Sequence, residues 1–269
     1  VFLHDAIPVK FSQYFPYGKS FVVKIMESTQ PNDYFFAVSQ NTKRDFEEIF
    51  PKVVREESTM VVPLAVNERF NVVKDENTIK KIKSKYRIPE NKKYVFSLCT
   101  VEPRKNLIRA VRAFLTFVEK NKIEDLVWVM GGAVWTSFAK ELACQGVNWN
   151  KNQILRVGYV DDEDLPALYS NAEWFVYTSQ YEGFGIPPLE AMRCGCPVIT
   201  SNNSSLPEVV GNAGIKIDWD SDEQHVEAFE KYYFDEEFRK QNAQKGLERS
   251  KIFSWKKSVE TMLEKMYHE

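Results

Sequence analysis

The sequence predicts an α/β protein built on parallel sheet, with helices covering both faces. Three observations carry this. Short apolar segments alternate with longer amphipathic ones along most of the chain. The apolar segments, such as Tyr94–Cys99 and Leu126–Met130, are continuous runs, as strands buried on both faces must be. The turns between them are short, which suits β-α-β units.

Taken in order, Val1–Leu3 reads as the end of a strand, followed by a Pro- and Tyr-containing loop to about Lys19. Phe21–Ser28 has helical spacing. Asp33–Ser39 reads as a short buried strand, and Thr42–Phe50 as a helix that Ser39 or Asn41 can cap. Thr59–Pro63 is another short strand. These first elements are too few to close a doubly wound sheet. The pattern lapses into polar residues over Val66–Lys74, which marks a boundary.

Beyond it the alternation is regular. Glu76–Tyr86 is a charged helix and Tyr94–Cys99 a strand. Leu107–Lys120 is a helix with Leu107, Val111, Phe114 and Val118 on one face. Leu126–Met130 is a strand ending at a Gly pair, Ser137–Cys144 a helix, and Ile154–Val157 a strand ending at Gly158. Asp162–Ser170 is a helix, Trp174–Thr178 a strand, Pro188–Cys194 a helix and Val198–Thr200 a strand. Residues 222–250 read as helical and strongly charged. Phe253–Tyr267 is an amphipathic helix with Ser254 as its cap.

Composition excludes several function classes. The net charge is −2 over 269 residues, so the basic excess of a non-specific nucleic-acid binder is missing. No apolar run reaches the roughly 18–20 residues that a bilayer crossing needs. The first residues form neither a signal nor a transit peptide, and the absent initiating Met suggests a trimmed or partial chain. Cys99, Cys144, Cys194 and Cys196 lack zinc-ligand spacing, and there are three histidines in all. Buried thiols in a reducing cytoplasm are the expectation. No metal site is expected.

The chemistry concentrates at Glu182-Gly-Phe-Gly-Ile-Pro-Pro-Leu-Glu190. This loop follows a strand and opens a helix, so it lies at the carboxyl end of a parallel sheet, where such folds bind ligands. Pro187 and Pro188 suit a first helical turn. Gly183 and Gly185 let backbone approach a ligand, and the helix start offers N–H groups to an anion. Glu182 and Glu190 bracket the loop, and carboxylates accept hydrogen bonds from sugar diols. A ligand with two sugar rings joined by a diphosphate fits that outline. A lone G-x-G alone would be read as an ordinary turn.

The whole string resembles the E-x7-E motif of the retaining family-4 (group 1) glycosyltransferases. Ala191–Thr200 and Ser204-Ser-Leu-Pro-Glu208 continue the likeness. Thr100-Val-Glu-Pro-Arg-Lys-Asn106 resembles the family's phosphate-binding stretch, with Lys105 at the position of its diphosphate-binding lysine. The family often has an arginine where Thr100 stands here, and Arg104 is the candidate for that second cation. Arg156–Val160 resembles the strand beside the nucleotide base, with Val157 and Tyr159 as its flanks. Val1–Pro8 resembles a strand whose histidine faces the transferred sugar, which is His4 here. Ala65 replaces a common glycine.

The resemblance implies a GT-B fold of two Rossmann-like domains with a cleft between them. Residues 1–72 would be a partial, acceptor-side N-terminal domain. Residues 73–252 would bind the nucleotide-sugar, and residues 253–269 would form the helix that crosses back. It implies a retaining transfer of sugar from a UDP- or GDP-linked donor to a glycan or lipid-linked acceptor, without a bound cofactor. Glu182 and His4 would be catalytic. Lys105, Arg104, Thr100, Gly183, Phe184, Gly185, Ile186, Glu190, Val157 and Tyr159 would hold the donor. Roughly a hundred residues of the family's N-terminal domain have no counterpart here. An alternative is therefore a nucleotide-sugar-binding module that needs a further N-terminal segment or second subunit. A phosphorylase or epimerase on a similar scaffold is a third reading, without a convincing pyridoxal lysine for the first. The expected location is the cytoplasm, with peripheral contact at the inner face of the membrane.

Overall fold

The computed structural model describes residues 1–15, 17–30, 32–100, 102–132 and 153–267. The helix expected at Ser137–Cys144, with Cys144, lies outside them. Two parallel sheets organise the chain. The smaller contains β1 (Phe2–Leu3), β2 (Phe35–Ala37) and β3 (Thr59–Val61) in that spatial order. Helices α1 (Ile7–Lys10), α2 (Gly18–Glu27) and α3 (Gln40–Ile49) accompany it. Its core gathers Leu3, Ala6, Met26, Phe35, Ala37, Phe46 and Val54. The loop expected before Lys19 therefore contains α1, a single turn with Pro8 near its start that is too short to show a period.

The larger sheet has six parallel strands in the order β6-β5-β4-β7-β8-β9. These are β4 (Lys93–Leu98), β5 (Leu126–Gly131), β6 (Ile154–Gly158), β7 (Trp174–Tyr177), β8 (Val198–Ser201) and β9 (Gly214–Ile217). Alternate residues feed opposite faces. Tyr94, Phe96, Val127, Val129 and Phe175 pack on one side with α4 (Glu76–Lys85), α6 (Leu165–Asn171), α7 (Ile186–Arg193) and α8 (Leu206–Val210). Val95, Trp128, Trp174, Val176 and Ile199 pack on the other with α5 (Leu107–Lys120) and α9 (Asp222–Phe234). Both faces are buried, which is why the strands read as unbroken apolar runs.

Besides α1, two further elements of the large unit were not visible in the sequence. Helix α8 is five residues long and β9 is four, with Gly214 and Lys216 diluting its apolar signal. The helical residues expected over 222–250 form two helices, α9 and α10 (Glu236–Ser250). Asp235 breaks them, and its carboxylate accepts the Phe238 N–H as the cap of the second. Helix α11 (Trp255–Tyr267) returns to the small sheet, where the Ser258 hydroxyl donates to the Pro63 carbonyl at 2.6 Å. Among the described residues no helix is long and apolar enough to cross a membrane.

Strand order reverses between β4 and β7. From β4 the chain runs outward through β5 and β6, and from β7 it runs the other way through β8 and β9. Adjacent loops at such a point diverge and leave a crevice at the strands' carboxyl ends. The segments that follow β4 and β7 are the ones carrying Lys105 and Glu182.

Candidate active site

Glu182 lies in the loop after β7 and is 8% exposed. Its carboxylate accepts from the Lys105 ammonium at 2.6 Å and faces the Arg104 guanidinium at 3.1 Å. Burial disfavours its charge. The two cations and the Lys105 hydrogen bond outweigh that, so its carboxyl is held below the usual value. The loop is pinned from α8's side. Ser204 Oγ accepts the Glu182 N–H at 3.0 Å, and the Ser205 hydroxyl donates to the carbonyls of Glu182 and Phe184. Lys105 also donates to the Tyr177 hydroxyl at 2.7 Å and lies 5.0 Å from that ring's centre.

Asn106 explains how Lys105 arrives there. It adopts a left-handed conformation between a single 3₁₀ turn (Pro103–Lys105) and α5. Its side-chain amide donates to Thr178 O at 3.1 Å and Trp219 O at 2.6 Å, tying the β4 loop to the β7 loop. Arg104 is buried as well. Its guanidinium donates to Tyr181 O and pairs with Glu102 as well as Glu182. The second cation read from the sequence is therefore engaged in bracing the loop.

A cavity of about 220 Å³ opens between the two sheets, lined by His4, Asp5, Tyr177, Glu182 and Gly183–Pro187 among others. His4 is exposed at the end of β1. Asp5 Oδ1 accepts the Ile7 N–H at 2.9 Å, and burial raises its carboxyl above the ordinary value. Gly185 opens α7 at φ +118°, a conformation that favours glycine. The space at Gly183 is already filled: a Cβ there would collide with the His4 carbonyl oxygen. Gly183 thus admits the backbone of the small unit on one side, and it also lines the cavity. Phe184 is buried against Phe253, with ring centres 5.7 Å apart, and so supports the loop from beneath.

Glu190 stands on α7, partly buried, and accepts from the Tyr169 hydroxyl at 3.0 Å. Burial pushes its carboxyl up to about 7, with the Asp162 charge adding and Tyr169 and Arg69 opposing. Thr100 is exposed after β4, Val157 is half-buried in β6, and Tyr159 is 77% exposed just past that strand's end. Neither these three nor Glu190, Lys105 and Arg104 line the cavity beside Glu182. Tyr177, Ser204, Ser205 and Asp5 were missed as site residues. Tyr177 reads as core from its strand, and hydroxyls in loops carry no distinctive spacing. Among the described residues no cluster of His, Cys, Asp and Glu is arranged to hold a metal ion.

The family model for glycosyl transferases group 1 matches residues 78–249. The chain belongs to the group 1 glycosyl transferases. The serotype-specific mannosyltransferase WbdA of Escherichia coli is 28% identical over 267 residues, covering 97% of this chain and 32% of that protein. The O-antigen chain mannosyltransferase B of the same organism is 38% identical over 167 residues, covering 60% of this chain and 42% of that protein. The chain thus spans about a third of the length of the WbdA relatives. Among solved structures, Anabaena Alr3699/HepE in complex with UDP and glucose superposes with a TM-score of 0.82 at 20% identity, covering all of this chain and 71% of that one. WaaG, a glycosyltransferase of lipopolysaccharide biosynthesis, gives 0.75 at 17% identity, covering 93% and 70%. These likenesses show the GT-B fold for this group 1 chain.

Proposed function

We propose that the cavity between the sheets is the donor site of a retaining glycosyltransferase, which moves a sugar from a nucleoside diphosphate to a glycan or lipid-linked acceptor. The observation that carries this is Glu182 at the switch point, which lines the cavity together with His4 and is paired with the largely buried Lys105 behind it. Glu182 is ionised and oriented, which suits hydrogen bonding to the hydroxyls of the transferred sugar. Lys105 turns from Glu182 to the diphosphate when donor binds, and stabilises its growing charge as it leaves. The N–H groups of Gly185 and Ile186, beside the same cavity, add donors for that anion, Pro187 and Pro188 having none to offer. Glu190 holds the ribose hydroxyls. Val157 and Tyr159 flank the base, and Thr100, exposed after β4, contacts the donor. His4 faces the sugar from the small unit.

In this reading the bond from the anomeric carbon to phosphate breaks while the bond to the acceptor oxygen forms on the same face. The acceptor's proton passes to the departing phosphate oxygen. Mannosyltransferase relatives favour mannose as the sugar, and the base is uracil or guanine. Replacing Glu182 with Gln tests the assignment. Turnover should fall roughly 100-fold with donor affinity changed little, since the charge acts mainly on the transferring sugar. Equal loss in both would move Glu182 to a donor-holding role.

The small sheet favours a second reading. It has three strands, and β1, two residues long, pairs with β2 alone among the described residues. Its first residue, Phe2, and Val1 before it are exposed. A further segment or second subunit that extends this sheet would supply the acceptor side, and this chain would then bind donor but transfer sugar only in that company. Peripheral contact with a membrane face belongs to the same proposal. Transfer assays with and without a longer N-terminal portion separate the two readings.

A further inference from the structure

Helix α3 of the small unit spends its amino end on the donor loop. Its N-cap Ser39 accepts the Thr42 N–H at 3.0 Å and donates to Gly183 O at 2.7 Å. The Thr42 hydroxyl donates to the same carbonyl at 3.0 Å. The next two free N–H groups, of Gln40 and Asn41, each donate at 2.7 Å to one oxygen of the Glu208 carboxylate. One turn along, Asp45 accepts from the Tyr181 hydroxyl, and Asn41 donates to that hydroxyl at 2.7 Å. The partners Tyr181, Gly183 and Glu208 all belong to the large unit, and Tyr181 and Gly183 flank Glu182.

A carboxylate that takes two N–H groups at a helix start forms two charge-assisted hydrogen bonds, on the end of the helix that attracts anions. Glu208 is itself held still. Arg249 on α10 donates to the carbonyls of Glu208 and Val209. Gly183 meanwhile is pressed against the His4 carbonyl, with no room for a side chain. Whatever fixes α3 against Gly183 therefore fixes where β1 ends, and with it His4.

We propose that Glu208 is a positioning residue, which seats α3 on the donor loop and thereby sets His4 in register with Glu182. The proposal rests on the donor-site reading above. Glu208 touches α3 rather than the cavity, so its loss leaves donor binding intact and impairs the step that needs both units.

The test compares the unmodified chain with Glu208→Ala and Glu208→Gln. The second keeps the side chain's length and one acceptor oxygen, and carries the test if the first fails to fold. Spin labels go on cysteines replacing Lys19 and Lys245, which are exposed on the small and large units. GDP and UDP affinities are measured by calorimetry, and turnover with GDP-mannose and UDP-glucose. The expected result is a broadened label-to-label distance distribution, diphosphate affinity within about twofold, and kcat lower by roughly 10- to 100-fold with donor KM little changed. Glu208→Gln should fall between. Unchanged distances and kcat overturn the proposal, as does affinity lost in step with kcat at unchanged distance. If neither diphosphate binds the unmodified chain, the donor-site reading fails, and the distances still report whether Glu208 seats α3.

Discussion

Glu190 combines a cost to stability with a proposed gain in binding, and the two separate in Glu190→Gln. The folded protein holds this carboxyl near 7, against an ordinary 4.5, because burial disfavours its charge. A folded state that binds the proton more tightly than the unfolded state loses stability as pH rises between those values. At about 1.4 kcal/mol for each pH unit, the loss is complete above pH 7 and amounts to about 3 kcal/mol. Glutamine does not ionise and can still accept from Tyr169. Glu190→Gln should therefore match the parent below pH 4.5 and become steadily more stable than it up to pH 7. At roughly 2–4 °C per kcal/mol, the melting temperature at pH 8 should rise by several degrees. Donor binding should move the opposite way, because the ionised form accepts from the ribose hydroxyls. The parent's affinity should fall as pH drops through 7, and the variant's should be weak and flat. Thermal melts at pH 4, 6 and 8, with calorimetry at the last two, read both effects. A variant no more stable than the parent at pH 8 would refute the burial argument.

Two further outcomes follow from the cavity. Lys105→Ala leaves Glu182 buried with Arg104 as its remaining cation, and should cost about 2 kcal/mol in urea unfolding while weakening diphosphate binding at least tenfold. Retained affinity would remove Lys105 from the donor site. Gly183→Ala forces a Cβ into the His4 carbonyl, and should cost roughly 1–3 kcal/mol by overpacking, visible as a lower urea midpoint. An unchanged midpoint would show that the two units do not meet there in solution.

The core of the large sheet was legible in the sequence because its strands are buried on both faces. Tyr94–Cys99 and Trp174–Thr178 stand out as apolar runs, and the structure places β4 and β7 within a residue of those ends. Helix α5 has the bounds its apolar spacing gives. The E-x7-E loop was legible because Gly and Pro mark its turn and helix start. What the sequence hid depends on contacts between distant segments. Glu208 lies 168 residues from Gln40, and no local pattern announces that one caps the other's helix. Nor does a sequence show that the His4 carbonyl packs against Gly183. Arg104 read as the candidate second cation, and the sequence did not show its three partners from two loops. Short elements such as α1 and β9 were lost because four residues are too few to establish a period.

The central claim is that the crevice between β4 and β7 holds a nucleoside diphosphate. Calorimetric titration of this chain with UDP, GDP, ADP and their sugars, beside Lys105→Ala, tests it most directly. Saturable one-to-one binding of one base series is expected, weakened at least tenfold in the variant. A ligand present at 100 times its Kd should also stabilise the chain by about 2.7 kcal/mol. Heats indistinguishable from dilution for every diphosphate at millimolar concentration, or equal affinity in the variant, would contradict it.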